Sequence, residues 1–466
     1  MKISLNWLKS FIKINKSPEE IESLLTNVGL EVDEVITLSS DNDLLKKLRV
    51  GQIKEIKKHP DADRLSITKV DLEDKISSII CGAKNIEVGQ KVVVAIPGTT
   101  IKTIDGNKIK IKKTKIRGID SDGMICAEDE IGVGKSHSGI IVLEKNAKVG
   151  DSAVNYLNPL DDTTFDISLT PNRADAASHL GVARDIKAIT GEKINLPDIS
   201  SFKNQENSKI DIKIDEKNAC PRYAGCIIEG VKVMESPSFI KDHLNAIGIN
   251  PINNVVDITN YVLHSLGQPL HAFDLDQIKK NKIIVKYAKK NEKFKTLDGE
   301  KRSLNDNDLM ICDGDSSPMC IAGVFGGENS GVTNKTSKIF LESAYFNPSD
   351  IRTSSQNHQL KTDASYRFER GIDPNITIYA LKYAALLICK YSGGAVTSKV
   401  YDQYPKEIEN QNIEFNLERI NQLAGHNFNK NEIIKILNSL DIEVKEKKSV
   451  LVANVPPYRV DVTREA

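Results

Sequence analysis

The sequence predicts a multidomain α+β protein: a small α/β module, a small β-barrel, then a large α+β domain, then a second small α/β module. Three observations carry this. At 466 residues the chain is too long for one hydrophobic core, and ordinary domain sizes divide it into about three to five parts. Between about 50 and 149, short apolar runs are separated by Asp, Gly and Pro, and about five strands in about 100 residues suit a small barrel. Finally, a helix-then-strand pattern near the N-terminus returns near the other end at one fixed offset.

The first element after the opening is a helix. Ser17 can cap it, Pro18 fits its first position and Glu20 completes a capping box. Ile21, Leu24, Leu25 and Val28 then form one apolar stripe that Gly29 ends, and Leu30-Glu31-Val32-Asp33-Glu34-Val35 alternates as a strand. Asn429, Glu432, Ile433, Ile436, Leu437, Leu440, Ile442 and Val444 repeat this cap, stripe and strand.

The strand candidates of the barrel are Val50-Gly51-Gln52-Ile53, Ser66 to Val70, Ser78 to Cys81, Lys91 to Ile96 and Ile109-Lys110-Ile111. Leu169-Thr170-Pro171-Asn172-Arg173-Ala174-Asp175 leads into a helix with Leu180, Val182, Ala183, Ile186 and Ile189, closed by Gly191. A polar linker at 200–209 opens the largest block, about 210–396. That block mixes helices at 254–266 and 376–391 with strands and Asp-Gly hairpins at Asp298-Gly299 and Asp313-Gly314.

Bulk composition narrows the classes. The 64 basic and 64 acidic residues exclude a globally basic nucleic-acid glove, so any polyanion site must be a local patch. Seven scattered cysteines without a C-x-x-C pair suit neither a disulfide framework nor a zinc ribbon, and point to a reducing cytoplasm. No export signal and no apolar run near twenty residues is present, so the reading is cytoplasmic with no membrane partner. Thr463 and Glu465 look like a helix beginning, which predicts a piece of a longer protein.

Three sets of residues can carry chemistry. Lys102, Lys108, Lys110, Lys112, Lys113, Lys115 and Arg117 stand against Asp105 alone and alternate with isoleucines, so a strand there would show one basic, phosphate-tracking face. An edge strand protected by lysines is the plainer alternative. His59, Asp61 and Asp63 read as a turn around Pro60 rather than a metal site. In the large block, a helix carrying Thr259 and Asn260 runs into a tight loop, Gly267-Gln268-Pro269-Leu270-His271, that presents a histidine, for which packing beside Leu270 and Phe273 is the plainer alternative unless partners arrive. The glycine cluster Gly323-Val324-Phe325-Gly326-Gly327 lets backbone approach a ligand closely. Glu342 interrupts an apolar strand, where a carboxylate is costly unless paired, for instance with Arg367 or Arg370, or used for recognition.

The order Val50-Gly51-Gln52-Ile53, His59 to Leu65, Cys81-Gly82-Ala83-Lys84-Asn85, Ile116-Arg117-Gly118 and Ser121 to Cys126 resembles the tRNA-binding OB-fold appended to several synthetases. With the Trp7-Leu8 opening, the Leu169-to-Asp175 segment and Thr362-to-Pro374, the whole chain resembles bacterial phenylalanyl-tRNA synthetase beta subunits, in their N-terminal part. The resemblance implies an N-terminal module of 1–40 with 153–199, an OB-fold at 41–152, an editing domain at 210–396 and a truncated B5-type module at 402–466. It implies tRNA(Phe) and an alpha subunit, in an α2β2 assembly, as partners. The alpha subunit would hold the ATP-dependent aminoacylation site.

By the same resemblance, Thr259, Asn260, Pro269, His271, Gly326, Glu342, Thr362 and Ala364 fall on positions lining the family's editing pocket, which hydrolyses mischarged Tyr-tRNA(Phe). Catalytic work is expected of His271, Glu342, Thr259 and Asn260, and substrate contacts of the rest. Phe325 stands where many relatives have Met. Lys108, Lys110, Lys112, Lys113, Lys115 and Arg117 are the expected tRNA contacts. Val455-Pro456-Pro457-Tyr458-Arg459-Val460-Asp461 resembles the start of the family's acidic magnesium site, with Asp461 alone of its carboxylates inside the chain. The competing readings are a non-catalytic tRNA-binding scaffold and an OB-fold RNA chaperone fused to an unrelated hydrolase.

Overall fold

The computed structural model describes residues 1–38, 42–102, 108–133, 139–157, 162–447 and 450–465. The expected module boundary at 40/41 lies outside them. By contacts the chain forms two compact units, 36–164 and 1–35 with 165–466.

Within 36–164 an antiparallel sheet runs Met124–Ile125, Lys91–Ala95, Arg49–His59, Ala62–Asp71 and Ile76–Cys81, with Val142–Leu143 also on Lys91–Ala95. The Val-Val-Val-Ala run is apolar throughout because both its faces are covered. Val93 and Ala95 join a core with Leu45, Leu48 and Ile101, while Val92 and Val94 join one with Ile53, Val70 and Ile79. Gly51 permits the crossing of strands, since a Cβ there would lie 2.5 Å from Val70 Cγ1. His59 packs as turn chemistry: its Nδ1 accepts from Asp61 N at 3.1 Å and its Nε2 meets Ile116 O at 3.3 Å.

The two small modules are alike beyond their helices. The Ser17 capping box forms in full, and helices Pro18–Asn27 and Lys430–Ser439 occupy corresponding positions. Leu30 N donates to Leu25 O and Ile442 N to Leu437 O; Val32 N donates to Thr26 Oγ1 and Val444 N to Asn438 Oδ1. The sheets also agree. The order Lys2–Ser4, Asp162–Ser168, Glu31–Leu38 matches Gln411–Phe415, Val450–Val455, Glu443–Lys447, with the last strand of each module in the middle. Gly29 (φ +83°) is replaced by Asp441 (φ +62°) at the left-handed residue after the helix.

The large block is built from two sheets. One runs Leu270–Asp274, Lys338–Tyr345, Arg222–Glu229 and Ala395–Val396, and Tyr401–Gln403 from beyond 396 also pairs with Arg222–Glu229. Helices Asn254–Leu266 and Thr377–Ser392 cover one face of it, through Val255, Ile258, Val262, Ala380 and Ala384 on Ala224, Cys226, Ile339 and Leu341. The opposite face, with Tyr223, Phe273, Phe340 and Ala344, packs on the second sheet through Ile283, Val285, Met310 and Ile311. The second sheet ends at Phe325–Gly326.

Some local expectations change. At Asp313-Gly314 the left-handed residue is Ser316 (φ +67°), and Gly314 instead passes close to Lys279 O. Thr463 lies in a bend and Glu465 in irregular chain rather than in a starting helix, and Glu465 Oε1 accepts from Asn416 N at 2.6 Å.

Candidate functional site

Antiparallel register decides which side chains of the large block can meet. His271 pairs with Glu342, and Glu342 with Gly225, so the three residues share one face of three neighbouring strands. That face is the one between the sheets, because Phe273 and Phe340, two residues away on the same strands, belong to the core there. Glu342 is thus carried into an apolar layer by its strand's pleat. It is 6% exposed, and burial pushes its carboxyl up to about 8. Its partner is neither Arg367 nor Arg370. Arg367 is spent on Asp363, Ala177 O and His264 Nδ1, and Arg370 on Glu369 and Tyr366 O. Instead the Tyr223 phenol donates to Glu342 Oε2 at 2.6 Å. Tyr223 carries no local signal of this role; the one trace in the chain is that a carboxyl in an apolar strand needs a donor from a neighbouring strand.

His271 sits edge-on to Phe273 at 4.3 Å between ring centroids. Burial pulls its imidazole down to about 4, so the ring is neutral at pH 7. Its Nε2 is buried and has no hydrogen-bond partner among the described residues. Gly326 lies against the ring, and a Cβ there would stand 3.2 Å from His271 Cε1.

The remaining residues divide. Thr362 Oγ1 donates to Val324 O at 3.0 Å and caps helix Asp363–Phe368, which ties that helix to the strand bearing Gly326. Ala364 packs on the same core. Pro269 is buried, and Gln268 Nε2 fixes its loop by donating to Pro269 O and Ala344 O. Thr259 and Asn260 are on the helix that covers the other face of the sheet. Thr259 Oγ1 turns back to Val256 O at 2.7 Å, and Asn260 is half-buried. Among the described residues no hydrogen bond joins either to His271 or Glu342. Register and packing bring His271, Glu342 and Gly326 together, with Thr362 tied to Val324 two residues from Gly326, while Thr259 and Asn260 belong to the helix that packs on the other face of the sheet.

The basic segment is not one strand. Lys108–Lys110 pairs with Thr100–Lys102, and Thr114–Ile116 pairs with Ile119–Ser121, so the chain turns between two separate hairpins. Lys108, Lys110, Lys112, Lys113, Lys115 and Arg117 are all exposed, with Arg117 left-handed (φ +47°) in the second turn. Lys113 pairs with Asp122 at 3.4 Å. Ile104 and Asp105 of the expected run lie outside the described residues.

Asp461 is held by Arg459 through two bonds of 3.0 Å, and that hydrogen-bonded pair keeps its carboxyl low against the opposing effect of burial. No group of three or more His, Cys, Asp or Glu that could hold a metal is found among the described residues. No described helix is long and apolar enough to cross a membrane.

Three family models match: a tRNA binding domain at 48–152, a B3/4 domain at 219–393 and a tRNA synthetase B5 domain at 413–466. The phenylalanine–tRNA ligase beta subunit of Bacteroides fragilis is 46% identical over 475 aligned positions, covering 100% of this chain. The chain belongs to the phenylalanine–tRNA ligase beta-subunit family. The beta subunit from Fusobacterium nucleatum is 43% identical, also over the whole chain. The chain spans 57% of the length of the Bacteroides relative and 58% of the Fusobacterium one. Among solved structures, an N-terminal fragment of the beta subunit from Pyrococcus horikoshii aligns at 20% identity and TM-score 0.32, over 65% of this chain and 84% of that one. On this family's map His271, Gly326 and Glu342 lie in the B3/4 match, the exposed cations in the tRNA binding match and Asp461 in the B5 match.

Proposed function

We propose that this chain is a tRNA-binding and proofreading part of a phenylalanine–tRNA ligase. Its 36–164 unit serves as an OB-fold that tracks tRNA(Phe) with Lys108, Lys110, Lys112, Lys113, Lys115 and Arg117, and its large block hydrolyses Tyr-tRNA(Phe). An alpha subunit partner forms the aminoacyl bond with ATP. The observation that carries the hydrolytic reading is the unpartnered, buried His271 Nε2 on the same sheet face as Glu342, beside a glycine that keeps the space open.

A pocket selective for phenylalanine rejects tyrosine by only about 100-fold, because one added hydroxyl perturbs an apolar site little. A second site that requires the hydroxyl can do better. A tyrosyl phenol reaching Glu342 gives the buried carboxyl a partner, whereas a phenylalanyl ring leaves it short of one, at a cost of about 1–3 kcal/mol. In the reaction, water oxygen bonds to the ester carbonyl carbon, the bond to the terminal ribose oxygen breaks, and that oxygen takes the proton water gives up. A histidine held near pKa 4 is a weak base, so His271 positions the water or the ester through Nε2 instead of drawing off its proton. Pro269, Thr362 and Ala364 shape the walls, and Thr259 and Asn260 contribute if the bound tRNA end bridges to their helix.

Magnesium does not fit the residues present. Asp461 is already paired with Arg459, and magnesium wants several oxygens in octahedral array. No step is assigned to it.

The test is deacylation of Tyr-tRNA(Phe) and Phe-tRNA(Phe) by a complete beta subunit of this sequence with its alpha partner. Glu342→Ala and His271→Ala should each lose Tyr-tRNA deacylation by at least ~10-fold while aminoacylation stays intact. Unchanged deacylation in both variants would move the site elsewhere. An unmodified complex without deacylase activity would favour a tRNA-binding scaffold.

A further inference from the structure

Four titratable groups lie around Glu342 on this face of the sheet. Tyr223 comes from the Arg222–Glu229 strand with Cys220 just before it, His271 from the opposite strand, and Cys320 from the second sheet. The thiols face other partners: Cys220 Sγ lies 3.7 Å from Arg222 O, and Cys320 Sγ lies 3.3 Å from both Ile321 O and Phe325 O. His271 Nε2 bonds to nothing among the described residues. Tyr223 is accordingly the sole side-chain donor to Glu342 there, and it reaches one oxygen only.

The placement of the phenol is built into the strands. Tyr223 is fully buried, its ring stacked parallel to Phe340 at 6.5 Å. Gly225, directly opposite Glu342, has no side chain, so Phe340 slides over it, where a Cβ would lie 2.2 Å from Phe340 Cζ. Tyr223 therefore has little freedom to leave Glu342.

We propose that Tyr223 is a positioning and specificity-determining residue of this site: its phenol clamps Glu342 Oε2, so the carboxyl presents Oε1 alone, in one orientation, to a second phenol belonging to the ligand. The inference rests on the hydrolytic reading above. The protein's own tyrosine occupies half of the carboxyl, and the tyrosyl ester completes it. A carboxyl holding two phenol donors is stabilised in its charged form, and the first donor orders it before the second arrives.

The experiment is Tyr223→Phe in the complete alpha–beta complex, assayed on Tyr-tRNA(Phe) and Phe-tRNA(Phe) across pH. The selectivity for the tyrosyl ester should fall by roughly 10- to 100-fold, and the limb of the pH profile set by Glu342 should move to higher pH, because its carboxylate has lost a donor. Unchanged selectivity and an unmoved limb would overturn the proposal, as would an equal loss on both esters without a shift. If the phenylalanine variant does not fold, 3-fluorotyrosine at 223 keeps the shape and strengthens the donor; the limb should then move to lower pH, and a fixed limb would count against the clamp. Glu342→Gln separates the two levels of the argument. Retained selectivity in that variant removes the reading of the site itself, whereas its loss beside a fully selective Tyr223→Phe removes only the role of Tyr223.

Discussion

At the residue scale, burial sets charge states that pH can read out. His179 is fixed in one tautomer, with Nδ1 donating to His264 O and Nε2 accepting from Ser4 N, and it stacks on Trp7 at 4.1 Å. Desolvation takes it down to about 3, as it takes His271 to about 4. Both bind a proton in the unfolded chain near pH 6.5 and resist it in the fold, so their contribution is fully present above pH 6.5 and fades as pH falls toward their folded values. Glu342 acts in the opposite sense: raised to about 8, it holds a proton in the fold that the unfolded chain releases near 4.5, so its contribution fades as pH rises from 4.5 to 8. Urea unfolding followed by the fluorescence of Trp7, the single tryptophan, should separate them. Between pH 5 and 7, Glu342→Gln should steepen the gain in stability by about 2–3 kcal/mol, and His271→Gln should reduce it by about 2 kcal/mol. Identical slopes in all three proteins would mean that neither group is sealed from water.

At the element scale, the duplicated module shows which local signals are strong. Its helices were legible because cap, stripe and stop stand at fixed spacings: Ser17 and Asn429 accept from the N3 amide, and Leu30 and Ile442 donate back to the helix end, while the reciprocal bond of the capping box forms at Ser17–Glu20. Gly29 has open space around it, so Gly29→Ala meets no clash and its cost is conformational, about 1 kcal/mol for a residue forced to φ +83°. Hydrogen exchange of the Pro18–Asn27 amides should speed up about fivefold in that variant, with the amides of Lys430–Ser439 unaffected; equal protection would show that the helix opens only with the whole unit. The basic segment marks where local signals fail. Alternating lysine and isoleucine reads as one strand, but Lys108–Lys110 and Thr114–Ile116 pair with different strands, the second pair closing through the positive φ of Arg117 and Gly118, and Ile109 is left 48% exposed.

At the scale of the whole molecule, net charge is zero, so the proposed RNA binding would have to come from local cations. If the exposed lysines meet phosphates, Lys110→Glu with Lys112→Glu in the complete complex should weaken tRNA(Phe) binding and make the slope of log Kd against log salt shallower by about 1–2; an unchanged slope would place the RNA on another surface. Local signals in the chain suffice for the helices, the strand-rich segment, the repeat and Glu342 as a carboxylate out of place in an apolar strand, because caps, periodicity and the cost of burying polar groups act over a few neighbouring residues; His271 and Gly326 were singled out by family resemblance. The remainder rests on long-range tertiary pairing: register puts His271 and Glu342 on one face, Tyr223 and not an arginine satisfies the carboxyl, and Thr259 and Asn260 ride on the helix that packs on the other face of the sheet. Each of these depends on which strand lies beside which, and pairings between residues 71 to 119 positions apart leave no local trace in the chain.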